Sequence, residues 1–124
     1  MIDLKDQLNN KYKESGLLKK ENDQIFTDKT LDNFFFLDII KEIFPEAKVI
    51  NCTRNPISSI MSILKNNLGD VAWAHQLEHI FLYFDIYHKK INNFKNKYPN
   101  FIYDLIFENF QSDPENESKK IMKF

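Results

Sequence analysis

The stretch from Lys48 to Leu64 constrains this chain more than any other. Val49-Ile50-Asn51-Cys52-Thr53 is short, mostly apolar and rich in β-branched residues, the composition of a buried strand. Arg54 ends it. Asn55 suits a helix N-cap, and Pro56 suits the first helical position, where its missing N–H is not needed. The run from Ile57 to about Asn67 then predicts a helix. Open α/β sheets hold phosphate ligands at such a place, the carboxyl end of a strand feeding a capped helix. Ser58, Ser59 and Ser62 stand three and four residues apart and share a helix face. With Arg54 they form a donor set for one anion: a planar fork able to give two hydrogen bonds, and neutral hydroxyls beside it.

The rest of the chain limits what that site can serve. With 124 residues the chain is one domain at most, and 43% hydrophobic residues are enough for a core. A formal net charge of −1 argues against a broad polyanion-binding surface, so no nucleic-acid partner is expected and nucleotide recognition must be local. Cys52 has no second cysteine to pair with, and burial in the strand is its expected role. No apolar run is long enough to span a membrane, and Met1 to Asp6 has no signal-peptide pattern. These readings predict a soluble, cytoplasmic setting with no membrane partner. Gly16 and Gly69 stand alone, whereas a glycine-rich phosphate loop needs several glycines. Gly16 follows a helical pattern and is read as a helix C-cap.

In chain order, Leu4, Leu8 and Tyr12 fall at four-residue spacing and predict a helix from Leu4 to Ser15. Gln24 to Asp28 predicts a strand with Lys29 at its carboxyl end. Asp32 or Asn33 caps a second helix, Phe34 to Phe44, whose expected core face is Phe36, Ile39, Ile40 and Ile43, and Pro45 ends it. Asn66 to Asp70 is a turn cluster. A long helix runs from about Trp73 to Tyr98, with an apolar stripe of Leu77, Ile80, Phe81, Phe84, Tyr87, His88 and Ile91. Phe101 to Phe107 is a third strand, and Asp113-Pro114 opens a last helix, Glu115 to Phe124. Helix alternating with strand predicts a parallel sheet with crossover helices. Three strands are few for such a fold, so the chain reads as a piece of a larger α/β domain.

At this point the residues resemble a family. Thr27-Asp28-Lys29, Asn33-Phe34, Phe44-Pro45-Glu46-Ala47-Lys48-Val49-Ile50 and Arg54-Asn55-Pro56, with Ser62 eight beyond Arg54, follow the pattern of sulfotransferases. Phe107-Glu108-Asn109-Phe110, with Asp113-Pro114 after it, is similar to the family's Tyr-Glu-x-Leu stretch. The likeness is to bacterial sulfotransferases that often carry tetratricopeptide repeats, and more distantly to protein-tyrosine sulfotransferases. It covers roughly residues 25–124 of a single partial domain, with residues 1–23 as a helical lead-in. The resemblance implies a P-loop-like three-layer α/β fold, here partial, with a short parallel sheet flanked by helices.

It also implies an activity: sulfuryl transfer from 3′-phosphoadenosine 5′-phosphosulfate to a hydroxyl or amine of an unidentified acceptor, without a metal. Arg54 and Ser62 then hold the 3′-phosphate, with Ser58 beside them, and Lys29 matches a lysine that stabilises charge at the transferring group. A fixed cation at developing charge lowers the barrier of such a transfer. Departures bear on activity. The family's 5′-phosphosulfate loop, an Arg-Ser-Gly-Thr-Thr-like turn, is absent, as is the acidic residue after it. Ser58 stands where relatives commonly have aspartate, and Phe107 where they have tyrosine, so a hydroxyl near the nucleotide is lost. The alternative is a truncated, non-catalytic nucleotide-binding or interaction domain.

Plainer roles stand beside these. Arg54 could pair with Glu108, and Glu108 is expected to anchor a loop or helix rather than do acid–base work. Asp28 is expected to cap or position the turn that follows. His75 and His79 have the i, i+4 spacing that chelates zinc on a helix, but no adjacent Glu and no clear third ligand, so no metal is assigned. Asp85 and His88 are expected to pair on the surface of the long helix.

Overall fold

A computed structural model describes residues 4–16, 27–66 and 68–124. The chain divides into two compact units, Met1–Ala47 and Lys48–Phe124.

In the first unit, helix α1 spans Leu4–Glu14, and Leu8, Asn9 and Tyr12 are half-buried. It closes as its sequence requires. Gly16 takes φ +74°, a left-handed conformation that only glycine adopts without strain, and its N–H reaches the Lys13 carbonyl at 3.0 Å. Of the strand expected over Gln24–Asp28, Gln24, Ile25 and Phe26 lie outside the described residues, and Thr27 and Asp28 are irregular. The helix expected over Phe34–Phe44 is two pieces: a 3₁₀ turn, Leu31–Phe36, and helix α2, Leu37–Ile43. Phe36 separates them at φ −111°, ψ 14°, outside the α region. Neither Asp32 nor Asn33 caps this segment; it follows Thr30, without a side-chain cap bond. A 3₁₀ turn advances by a third of a circle per residue, so the buried face is rotated from the α-helical expectation. Phe34 and Leu37 are buried, whereas Phe36 and Ile39 are about half exposed.

In the second unit, strand β1, Val49–Thr53, pairs in parallel with β2, Ile102–Ile106, in the register Val49↔Ile102 to Thr53↔Ile106. These are the only strands among the described residues. The connection between them carries α3 (Pro56–Asn66), a 3₁₀ turn (Ala72–His75) and α4 (Leu77–Lys97). After β2 come α5, Phe107–Ser112, and α6, Pro114–Lys123. Asp113 caps α6, its carboxylate accepting the Asn116 N–H at 3.1 Å. The architecture is α/β, with a short parallel sheet flanked by helices.

The core of this unit lies where α4 meets the sheet. Ile80, Ile91 and Phe94 of α4 are buried, as are Phe101 and Ile102, and the rings of Phe94 and Phe101 are 5.5 Å apart. Leu77 and Phe81, expected in the stripe, are 44% and 55% exposed, so in the first turns of α4 burial falls on Ile80. The turn after α4 is made by Asn100 at φ 71°, a conformation asparagine tolerates better than most residues.

Two expectations about β1 are corrected. Cys52 is exposed, and the buried residue is the polar Asn51. Side chains alternate along a strand, so Val49, Asn51 and Thr53 share one face with Ile102, Asp104 and Ile106. Asn51 on that face is satisfied on both sides: Tyr87 Oη of α4 donates to its Oδ1 at 2.6 Å, and its Nδ2 donates to Asp104 Oδ1 at 2.9 Å. Lys95 of α4 pairs with the other Asp104 oxygen. Cys52 falls on the opposite face with Ile50, Tyr103 and Leu105. There Phe124, just past α6, packs its ring 5.6 Å from that of Tyr103, while Ile50 stays 44% exposed. No described helix is long and apolar enough to cross a membrane.

Candidate functional site

The parallel register sets the geometry of the site. Thr53 lies beside Ile106, so the residues that leave the two strands at their carboxyl ends, Arg54 and Phe107, emerge side by side. Phe107 is the first residue of α5 rather than the last of the strand, and the Arg54 guanidinium lies over its ring, 5.1 Å from the centroid. An arginine over an aromatic face is held by the ring's quadrupole while its N–H edge remains open for an anion. The sequence marks both residues but not their stacking, which depends on strand register.

The backbone between β1 and α3 is fixed by a second contact to the same junction. The Asn55 N–H donates to Glu108 Oε1 at 2.9 Å, and Asn55 Oδ1 accepts the Ser58 N–H at 3.1 Å, the N-cap expected from the sequence. Glu108 thus anchors a loop, as expected, and forms no ion pair with Arg54. The Asn55 N–H, its own backbone N–H and the charge of Arg54 together hold the Glu108 carboxyl below its ordinary range.

From Arg54 an open groove of about 700 Å³ runs along α3, its lining including Arg54, Ser58, Met61, Ser62, Lys65 and Asn66. Ser58 and Ser62 are half-buried in it, and Arg54 is exposed. The helical spacing of four that puts Ser58 above Ser62 also puts Asn66 below Ser62, and Asn66 Nδ2 donates to the Ser62 carbonyl at 2.8 Å and to its Oγ at 3.1 Å. Lys65 and Asn66 were not singled out from the sequence for this site; their i+7 and i+8 spacing from Ser58 was the available signal. The groove therefore offers an arginine fork, serine hydroxyls and a lysine, with no carboxylate in its lining.

Lys29 belongs to the first unit. It is exposed and follows Asp28, whose carboxylate accepts the Thr30 hydroxyl at 2.8 Å. Asp28 therefore holds the turn that starts the following 3₁₀ segment, the structural role expected of it. Its charge, after burial, also raises the pKa of Tyr12.

Two expectations on the long helix are corrected. His75 lies in the 3₁₀ turn Ala72–His75 and His79 in α4, with Gln76 extended between them at φ −133°, ψ 136°. The i, i+4 chelating geometry requires one continuous helix, and this chain breaks it. No group of three or more His, Cys, Asp or Glu able to hold a metal occurs among the described residues. Asp85 pairs with Lys89, at 2.6 Å, rather than with His88. His88 instead lies against Tyr87, ring centroids 4.9 Å apart.

Comparison with known proteins gives this chain a lineage. An uncharacterized protein from Aquifex aeolicus (strain VF5) is 26% identical over 101 residues, covering 78% of this chain and 13% of that protein. The chain thus spans about an eighth of the length of the relative it matches. No solved structure matches it significantly. The model of the sulfotransferase family matches residues 3–124, a range that includes the β1–Arg54–α3 segment, the β2–α5 junction and helix α1 as well. On that match the chain belongs to the sulfotransferase family.

Proposed function

We propose that the groove headed by Arg54 binds the 3′-phosphate of a 3′-phosphoadenosine nucleotide, and that the chain serves sulfuryl transfer from 3′-phosphoadenosine 5′-phosphosulfate to a hydroxyl or amine. One observation carries this reading: Arg54, unpaired with any carboxylate among the described residues, heads a groove that also holds Ser58 and Ser62. The donor chemistry fits a phosphate monoester. The arginine supplies charge and a planar fork, the serines supply neutral donors, and Phe107 fixes the fork against rotation. Lys29 is proposed to act on the transferring group, where a fixed cation offsets charge that develops on its oxygens. The nucleotide, when bound, supplies the activated sulfuryl group; the residues named here bind and orient it.

Titration calorimetry with two nucleotides tests the binding claim. Adenosine 3′,5′-bisphosphate is expected to bind more tightly than adenosine 5′-phosphate. A charge-assisted hydrogen bond contributes roughly 1.5–3 kcal/mol, so Arg54→Ala is expected to weaken bisphosphate binding by about one to two orders of magnitude. Ser62→Ala removes a neutral donor and is expected to cost about 1 kcal/mol. Both losses vanish for the nucleotide without the 3′ group. Equal binding of the two nucleotides, or an equal loss for both in Arg54→Ala, overturns the assignment.

A second reading is favoured by one feature of the sequence. The chain contains no Arg-Ser-Gly-Thr-Thr-like turn to grip a 5′-phosphosulfate. A domain that binds the 3′-phosphate without catalysing transfer has the same groove and the same titration. Assay of transfer separates the two readings.

A further inference from the structure

We propose that Asn66 is a positioning residue of the anion groove: it occupies the acceptor side of Ser62, so that the Ser62 hydroxyl keeps its proton for a phosphate oxygen. The proposal rests on the 3′-phosphate reading of the groove.

A serine hydroxyl has one proton to give and two lone pairs to receive with. In a helix its proton ordinarily goes to a carbonyl of the preceding turn. Ser112 of α5 does this, its Oγ donating to the Glu108 carbonyl at 2.9 Å. Ser62 does not. Its Oγ accepts from Asn66 Nδ2 at 3.1 Å and donates to no group among the described residues. The same Nδ2 donates to the Ser62 carbonyl at 2.8 Å, which holds the amide in place at the last residue of α3. A hydroxyl already bonded to a carbonyl must break that bond before it serves an anion; one held from its acceptor side need not. At the other end of the helix Asn55 Oδ1 takes the Ser58 backbone N–H. Ser62 and Asn66 line one groove with Arg54, and Asn66 is exposed, so its replacement spares the core.

Calorimetric titration of the 124-residue chain with adenosine 3′,5′-bisphosphate and adenosine 5′-phosphate tests this, using wild type, Asn66→Ala, Ser62→Ala and the double variant. Asn66→Ala frees the Ser62 hydroxyl to turn back to the helix. It is expected to weaken bisphosphate binding by about three- to fivefold, within the contribution of one neutral hydrogen bond, and to leave 5′-phosphate binding unchanged. In the Ser62→Ala background the same substitution is expected to change nothing, because the effect passes through the missing hydroxyl. A merely structural role at the helix end would lower the melting temperature and weaken both nucleotides alike in both backgrounds. Bisphosphate binding by Asn66→Ala equal to wild type, or a loss that persists undiminished without the Ser62 hydroxyl, overturns the proposal. If the wild-type chain does not distinguish the two nucleotides, the 3′-phosphate reading falls and this proposal with it. If Arg54→Ala removes the distinction and Asn66→Ala does not, the proposal falls alone.

Discussion

Glu108 is exposed, yet its carboxylate ties the β1–α3 connection to the first turn of α5. It accepts the Asn55 N–H at 2.9 Å, and its pKa is lowered by that bond, by its own N–H and by Arg54. The sign of its pH dependence follows. The carboxyl titrates below its ordinary value of 4.5 in the folded chain, so its ionised form stabilises the fold at higher pH. That contribution is complete above the unfolded-state value and is lost as pH falls through the lower folded-state value. Glu108→Gln is therefore expected to melt below wild type at neutral pH, with the gap closing as the pH drops below 4.5. Melting temperatures of both proteins from neutral pH to pH ~3 check this, since exposed carboxylates titrate in that span. A gap constant with pH assigns the bond's value to its geometry rather than to charge. At this scale the sequence was informative wherever the deciding partner is local: the Asn55 cap, the Asp113 cap and the left-handed Gly16 depend on residues at most four positions away.

Among the elements, α4 and the sheet are joined by a polar contact that periodicity alone does not reveal. Tyr87 is set by helical spacing to face the sheet, and its hydroxyl finishes the hydrogen bonding of buried Asn51. Burial pushes the Tyr87 phenol up, the bond to Asn51 acting against it, so the hydroxyl stays protonated as a donor at neutral pH. Tyr87→Phe keeps the ring but leaves Asn51 Oδ1 without its donor, at an expected cost of about 1–3 kcal/mol. Urea denaturation measures it, and an unchanged midpoint removes the Tyr87–Asn51 bond from the fold's stabilising contacts. Element types were legible where the periodic run is long or the caps are strong, as in α1, α3, α4 and α6. Helix α5 was missed because six residues after a strand carry no cap and too short a period to read. The break at Phe36 was missed because three consecutive phenylalanines satisfy a helical and a 3₁₀ pattern equally.

For the whole chain, the consequence of the proposed function lies in what Lys29 does once the 5′-phosphosulfate has a loop to hold it. The 124 residues alone are expected to show little or no sulfuryl transfer. In a form that also carries such a loop, Lys29→Ala is expected to lower kcat more than it raises KM. That is the mark of an interaction made mainly in the transition state. Steady-state kinetics with a hydroxyl acceptor decide it, and an unchanged kcat removes Lys29 from the mechanism.

The sequence by itself determined the alternation of helix and strand, the strand–arginine–capped-helix segment and the serine face of α3. Each follows from neighbours within a turn or from a short repeat, where local sterics and hydrogen bonding dominate. Only the tertiary structure decided which face of β1 is buried. An apolar run such as Val49–Thr53 reads the same whether one or both faces are covered, and the choice of Asn51 over Cys52 is made by Tyr87 and Asp104, distant in sequence. The pairing of Arg54 with Phe107, and of Asn55 with Glu108, is likewise a product of strand register. Residues more than fifty positions apart meet there because β1 and β2 end side by side, and no local pattern encodes that meeting.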